Sequence, residues 1–194
     1  FAKGLKAEDK IAILTDYDAD GLCAGALLVK ALQKLAGKKP EIVRIALRQK
    51  ESINEKFVQE LKKARITKFI SSDISLEAEG KNDFVEKIAK FADCLVIDHH
   101  KVYGKFKSKR ILLVKPQFFS KIEPSRYPAS KMAFDLFSRV CNLKESAWIA
   151  AFGTYGDYAE KTWVNFFRQA EKNSGISRKR IIDLAYILTA VKSF

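Results

Sequence analysis

The segment Ile11–Gly21, with the sequence IAILTDYDADG, places three carboxylates directly after a short apolar run. The run Ile11–Leu14 predicts a buried strand, because it is brief and turn residues follow it at once. Asp16, Asp18 and Asp20 then lie within five residues and repel one another, so folding around them is costly. A divalent cation with shared oxygen ligands removes that cost. The segment therefore predicts a strand that ends at a metal site.

Three other interpretations of this segment compete with that prediction. A solvated acidic turn is the most ordinary interpretation of a D-x-D pattern. An EF-hand calcium loop also begins D-x-D-x-D-G, but its twelfth position needs a bidentate Glu, and Leu27 stands there. A phosphatase of the haloacid dehalogenase type usually carries Thr or Val two residues after its D-x-D, where this chain has Asp20. The last two interpretations are disfavoured, and the solvated turn stays open.

Four further apolar runs predict strands, and the amphipathic segments between them predict helices. The predicted strands are Glu41–Leu47, Thr67–Ser72, Cys94–Ile97 and Ile111–Val114. The predicted helices are Leu22–Ala36, which Gly37 is expected to end, Asn54–Ala64 and Asn82–Ala92. Strands that alternate with helices imply βαβ units with parallel pairing.

The region from Pro128 onward loses the strand pattern and becomes helical. Its predicted helices are Pro128–Val140, Glu145–Asp157, Thr162–Asn173 and Ser177–Val191. The predicted fold class is therefore α/β: a mainly parallel five-stranded sheet flanked by helices, followed by a helical C-terminal part.

Two later strands also end on acidic residues. Asp73 follows the third predicted strand, and Asp98, His99 and His100 follow the fourth. In a parallel sheet the carboxyl ends of the strands meet at one edge, where sites form near a switch in strand order. Imidazole together with carboxylates suits Mn²⁺, Zn²⁺ or Fe²⁺ better than Ca²⁺. The pattern predicts a metal centre that hydrolyses a phosphate ester with two metal ions.

The charge balance favours a polyanionic partner. The chain has 36 Lys and Arg against 23 Asp and Glu, a net charge of +13, and neutralised phosphates release counterions. A proteome rich in lysine gives similar totals without any nucleic-acid binding, so this alternative stays open.

The cysteine pattern and the hydropathy indicate the compartment. Cys23, Cys94 and Cys141 are widely spaced in apolar surroundings and are expected to be reduced core residues. No apolar run approaches the length of a membrane span. We therefore expect a cytoplasmic protein with no membrane partner.

The ordered motifs DYDADG, SSDIS, DHH and GTYGD resemble the DHH phosphoesterase family, and most closely its RecJ-like single-strand nucleases of archaeal type. The resemblance covers Ile11 to about Glu160. It implies a DHH catalytic core over residues 1–160. It also implies a helical connector over residues 161–194 towards a C-terminal substrate-binding domain that this sequence does not contain.

The resemblance also implies a ligand set and a division of roles. Two divalent cations are expected, Mn²⁺ first, with Mg²⁺, Zn²⁺ or Co²⁺ as alternatives. The implied metal ligands are Asp16, Asp18, Asp20, Asp73, His99 and Asp157. Asp73 would bridge the ions, and Asp16 would bind an ion directly or support a ligand. His100 would contact the scissile phosphate, and Asp98 would orient its neighbours.

Several of these assignments have structural alternatives. The glycines of GTYGD can end a helix without Asp157 binding a metal. Ser130 and Lys131, near a predicted helix N-terminus, are candidate phosphate ligands, although ordinary capping is the alternative. Arg126 is a candidate substrate ligand beside Phe118, Phe119 and Tyr127, aromatics that either stack on bases or fill the core under their loop.

These observations favour a metal-dependent phosphodiesterase, a RecJ-like exonuclease acting on single-stranded DNA or RNA or on short oligonucleotides. One alternative is a phosphoesterase for a cyclic dinucleotide or a nucleotide monophosphate. Another is a replisome-associated scaffold, for which the resemblance suggests a partner such as the GINS complex.

Overall fold

The computed structural model describes residues 1, 4–36, 41–47, 53–78 and 80–191. The strands are β1 (Lys10–Asp16), β2 (Glu41–Leu47), β3 (Lys68–Ser72), β4 (Asp93–Ile97) and β5 (Ile111–Val114). The helices are α1 (Ala19–Leu35), α2 (Glu55–Lys63), α3 (Asn82–Ala89), α4 (Ala129–Phe137), α5 (Ala147–Gly156), α6 (Val164–Ser174) and α7 (Arg178–Val191). The predicted α/β fold class is confirmed, including the helical C-terminal part.

Helix boundaries differ from the prediction by at most three residues, at the ends of α3 and α4 and at the start of α1. This helix begins at Ala19 rather than Leu22, because the Asp18 carboxylate accepts a hydrogen bond from the Gly21 amide and caps it. The acidic motif is therefore partly helical, and Asp20 lies in the first turn. Gly37, expected to end this helix, lies outside the described residues.

All strand pairs are parallel, in the order β2-β1-β3-β4-β5. β2 pairs with one side of β1, and β3 pairs with the other side. The strand order therefore reverses its direction across the sheet between β1 and β3. Register then sets three acids side by side. Ser72 pairs with Thr15 on one side and with Ile97 on the other, so Asp16, Asp73 and Asp98 follow at one edge.

Helices cover both faces of the sheet, as parallel pairing requires. Ile11, Ile13 and Ile70 pack with α1 and α4 on one face. The alternate residues, including Leu14 and Phe69, pack with α2 and α3 on the other. Among the described residues, no helix is both long and apolar enough to cross a bilayer.

Helices α5, α6 and α7 form a third cluster against α1. The approach of α5 depends on Gly153, because a Cβ there would lie 2.8 Å from Cβ of Ser130 and 3.0 Å from Cβ of Cys23. Side chains of any size would push α5 away from α1 and α4. Gly153 thus lets α5 end close to the carboxyl edge of the sheet, where Asp157 follows it.

We predict that Gly153→Ala destabilises the protein by about 1–2 kcal/mol, since overpacking costs about 1–3 kcal/mol and helix propensity returns up to about 1 kcal/mol. Urea unfolding followed by circular dichroism measures this. Gly4→Ala is the matched control, because its nearest contact, Nζ of Lys68, is 3.9 Å away. Equal midpoints for the two variants would contradict the tight packing of α5.

Candidate metal centre

The turn after β1 holds two carboxylates in defined positions. Asp16 accepts a hydrogen bond from the amide of Tyr17 at 2.7 Å, and Asp18 accepts one from the amide of Gly21 at 2.9 Å. A Cβ on Gly21 would lie 2.6 Å from the carbonyl oxygen of Asp16. Glycine at this position therefore allows α1 to begin directly beneath the end of β1, with both carboxylates at the sheet edge.

Asp73 is the most constrained acid of the centre. It is 3% exposed and has a left-handed backbone with φ of 64°, a conformation that Asp tolerates better than most residues. Its Oδ1 is buried, and the described residues supply it with no hydrogen bond. Burial first, and then the neighbouring carboxylates Asp20, Asp18 and Asp157, raise the pKa of Asp73 well above its ordinary value. Such an oxygen needs a cation or a proton beside it.

Asp20 is completely buried where α1 meets α4. It accepts hydrogen bonds from the amides of Ala129 at 2.6 Å and Ser130 at 3.0 Å, and from the Ser130 hydroxyl. These donors belong to the N-terminus of α4, which favours negative charge. Burial nevertheless raises the pKa of the Asp20 carboxyl.

His99 connects the acids from different strands. Its Nδ1 lies 3.3 Å from the carbonyl oxygen of Pro124, which can only accept a hydrogen bond, so a neutral ring carries its proton on Nδ1. Nε2 is then an electron-pair donor, and it lies 3.3 Å from Oδ1 of Asp73 and 3.2 Å from Oδ2 of Asp157. Three acceptor atoms that face one another fit a cation between them, with Pro124 holding the ring.

All six predicted metal ligands come together. Among the described residues they fall in two donor groups, Asp16 with Asp18 and Asp73, and Asp20 with His99 and Asp157, and a third group joins Asp73 and His99 with His100. Within each group one ligand atom per residue lies within 4.8 Å of the others, and the contact between Asp73 and His99 joins the groups. Carboxylate oxygens with one imidazole suit Mn²⁺ or a similar divalent ion. The donor set therefore fits the implied metal, and the role of each residue as a ligand stays a prediction.

Asp98 and His100 lie beside the six predicted ligands, and Nδ1 of His100 is 3.9 Å from Oδ1 of Asp73. Asp98 is completely buried, and its Oδ1 accepts a hydrogen bond from Nδ1 of His100 at 2.7 Å. The His100 side chain is half exposed, so a substrate can reach it. This arrangement agrees with the predicted orienting role of Asp98.

Two charged residues that the sequence did not single out adjoin Asp98. Lys115 directly follows β5 and is completely buried, with Nζ 2.5 Å from Asp98 and 2.6 Å from Glu77, whose side chain is also buried. The only sequence signal for Lys115 is its position after a strand, where the acids also lie. Glu77 carries no comparable signal.

The two predicted phosphate ligands on α4, Ser130 and Lys131, are both buried. Ser130 is completely buried and donates its hydroxyl hydrogen to Asp20. Lys131 is 4% exposed, pairs with Asp135 at 2.5 Å and lies 4.1 Å from the ring centroid of Trp163. Burial argues against a substrate contact for either residue. Ser130 holds a candidate ligand, and Lys131 stabilises the packing of α4.

The three aromatic residues predicted to lie near Arg126 differ in burial. Tyr127 is buried and packs against Trp163, whereas Phe118 and Phe119 are each 54% exposed. The Arg126 guanidinium is half exposed and donates to the carbonyl oxygen of Tyr158 at 2.6 Å. Arg126 therefore lies beside the segment that carries Asp157, and a substrate contact there stays a prediction.

The family of the chain follows from a comparison of its sequence with family models. The model described as the DHH family, N-terminal domain, matches residues 10–154, which contain β1 to β5 and most of α5. This chain belongs to the DHH family. A search of curated proteins finds no match.

Solved structures share the fold. Exonuclease RecJ bound to manganese is 25% identical with a TM-score of 0.65, covering 85% of this chain and 42% of RecJ. The DHH domain of a protein described as a member of a ribosomal protein family is 15% identical with a TM-score of 0.76, covering 93% and 47%. An exopolyphosphatase-related protein from Bacteroides fragilis is 16% identical with a TM-score of 0.59, covering 92% and 56%. The chain thus spans less than two thirds of each.

We predict that Mn²⁺ raises the melting temperature of the chain and that Asp73→Asn abolishes this increase. At 100 times the dissociation constant, binding contributes about 2.7 kcal/mol. Without metal, Asp73→Asn should be at least as stable as the native chain, because it removes a buried repelling charge and Asn tolerates the left-handed backbone. Differential scanning calorimetry measures both effects.

Asp83→Asn is the matched control, since Asp83 is exposed in the first turn of α3. It should keep the full Mn²⁺-dependent increase. A metal shift that survives in Asp73→Asn would refute a central role for this carboxylate.

Proposed function

We propose that this DHH-family chain is the catalytic part of a metal-dependent phosphodiesterase that hydrolyses single-stranded DNA or RNA, or short oligonucleotides, with two divalent cations. The observation that carries the proposal is the convergence of donors from β1, β3, β4 and α5. Nε2 of His99 meets Oδ1 of Asp73 within it, and this oxygen accepts no hydrogen bond from the described residues. Bound divalent ions would supply a nucleophilic water at neutral pH and charge stabilisation on the phosphoryl oxygens.

The residues of the chain have separate tasks in this proposal. The two ligand groups hold the charge of the centre at the edge of the sheet. His100 is the reachable imidazole, and its Nδ1–H is engaged by Asp98. An imidazolium between the Asp98 carboxylate and a substrate phosphate is paired with anions on both sides, so its Nε2–H can donate to a phosphoryl oxygen.

Exposed aromatic residues favour a substrate that carries bases. Tyr158, which directly follows Asp157, is 74% exposed, and Arg126 holds its carbonyl oxygen. Gln117 also donates to the carbonyl oxygen of His100, and the exposed rings of Phe118 and Phe119 follow it. Rings of this kind can stack on bases of single strands. With the net charge of +13, they support an oligonucleotide over a small phosphate ester.

The comparison with RecJ supports the same proposal. RecJ is described as an exonuclease bound to manganese and is 25% identical to the chain. A strand-degrading activity, Mn²⁺ as the metal and a replication partner such as the GINS complex belong to this proposal. So does the cytoplasmic location.

We predict that the complete protein releases nucleotides from a labelled single strand in the presence of Mn²⁺, and that His100→Ala lowers kcat on the order of 100-fold. The Mn²⁺-dependent rise in melting temperature should persist in His100→Ala, because His99 supplies the imidazole of the metal centre. Gel electrophoresis of the products measures the first effect and calorimetry the second. Loss of metal binding in this variant would refute the division of roles between the histidines.

We predict a steep salt dependence for a long strand, because each neutralised phosphate lowers log K with log salt by about 0.7 for single strands. Fluorescence anisotropy with a 5-mer and a 20-mer at several salt concentrations measures the slope. A cyclic dinucleotide that is turned over efficiently, with little salt dependence, would instead favour the small-nucleotide phosphoesterase. No cleavage of any strand by the metal-loaded protein would overturn the nuclease proposal.

A further inference from the structure

Lys115 makes four polar contacts with described residues beside the candidate centre. It is completely buried, and its Nζ lies 2.5 Å from Oδ2 of Asp98 and 2.6 Å from Oε1 of Glu77. The same nitrogen donates to the carbonyl oxygens of His100 and Lys101, each at 3.0 Å. An ammonium has three hydrogens, so these four oxygens saturate it, and none is left for a substrate.

The contacts of Lys115 converge on one segment of the chain. Three of its four acceptors belong to the residues just after β4: the side chain of Asp98 and the backbone of His100 and Lys101. The two carboxylate oxygens of Asp98 are divided. Oδ2 accepts from Lys115 and from Ser75, and Oδ1 accepts from His100. Lys115 therefore holds both the backbone of His100 and the carboxylate that engages its ring.

Stability alone is a weak explanation for this arrangement. A buried ion pair is often no more stabilising than apolar side chains of similar volume. Here one oxygen of the buried Glu77, Oε2, has no hydrogen bond from the described residues, so the group is not optimised for stability. The geometry of Asp98 instead serves His100: the carboxylate lies between two donors, with Oδ2 facing Lys115 and Oδ1 facing Nδ1 of His100.

We infer that Lys115, supported by Glu77, is a positioning residue that acts through Asp98 to fix the ring orientation and the Nδ1 proton of His100. Its effect on phosphoester hydrolysis rests on the proposed function, but its effect on the imidazole does not. Lys115 touches neither the substrate nor, among its described contacts, any of the six candidate ligands. Its loss should therefore change His100 and leave metal binding intact.

The two histidines of the chain make the imidazole directly observable. In ¹⁵N-histidine-labelled protein, His100→Ala identifies which ring signals belong to His100. We expect the native His100 ring to be protonated at Nδ1 with slow hydrogen exchange. In Lys115→Met/Glu77→Gln, which removes one positive and one negative charge together, this Nδ1–H signal should broaden or exchange at least 10-fold faster. The signals of His99 should persist.

A double-mutant cycle supplies the kinetic readout. Lys115→Met/Glu77→Gln should lower kcat about 10-fold in the native background and less than twofold in His100→Ala, because coupled residues are not additive. KM and the Mn²⁺-dependent rise in melting temperature should stay near the native values. Lys115→Gln/Glu77→Gln, whose amide at position 115 can still donate to Asp98, should show a smaller loss of kcat.

The control variant is Lys109→Met, which removes an exposed lysine from the loop before β5 and should leave the His100 signal and kcat unchanged. Native His100 signals in the folded Lys115 variants would overturn the inference, as would equal losses of kcat in both backgrounds. If the metal-loaded native chain cleaves no strand while the His100 signal still depends on Lys115, the proposed function fails and the positioning role stands.

Discussion

Repulsion among buried carboxylates at one edge of the sheet is the constraint on which this structure depends. Asp20, Asp73 and Asp98 are all buried within a small region. The negative charge of each carboxylate is stabilised to a different degree. The N-terminus of α4 donates to Asp20, and Lys115 and His100 donate to Asp98. The described residues donate no hydrogen bond to Oδ1 of Asp73. The uncompensated position is where a cation fits.

The topology makes this concentration of charge possible at a single place. The strand order switches between β1 and β3, and the register sets Asp73 beside Asp16 on one side and Asp98 on the other. Asp157 arrives from outside the sheet, at the end of α5, because Gly153 allows that helix to approach. The centre is therefore assembled from four separate segments, and packing of the helices contributes to it as directly as the strands do.

Hydropathy patterns predicted secondary structure well wherever the structure of a segment depends mainly on its own sequence. The apolar runs of β1 to β5 and the periodicity of the helices identified every element of the sheet and its flanking layers. The start of α1 was missed by three residues, because Asp18 caps the helix while also belonging to the acidic motif. Ser130 and Lys131 were assigned to a substrate for a related reason: a helix N-terminus attracts any anion, and here the anion is the side chain of Asp20.

The sequence by itself determined the α/β class and the strand ends that carry acids, because alternation and strand-end motifs are local and a parallel sheet gathers its strand ends. The full set of six candidate ligands, which includes Asp157 after α5, was implied only by the resemblance to the DHH family. Only the tertiary structure decided which nitrogen of His99 faces the acids and that Ser130 and Lys131 are buried. It also decided that Lys115 forms ion pairs with both Asp98 and Glu77. Those features depend on partners far apart in the chain. A side chain's burial and its hydrogen bonds exist only once the layers have packed.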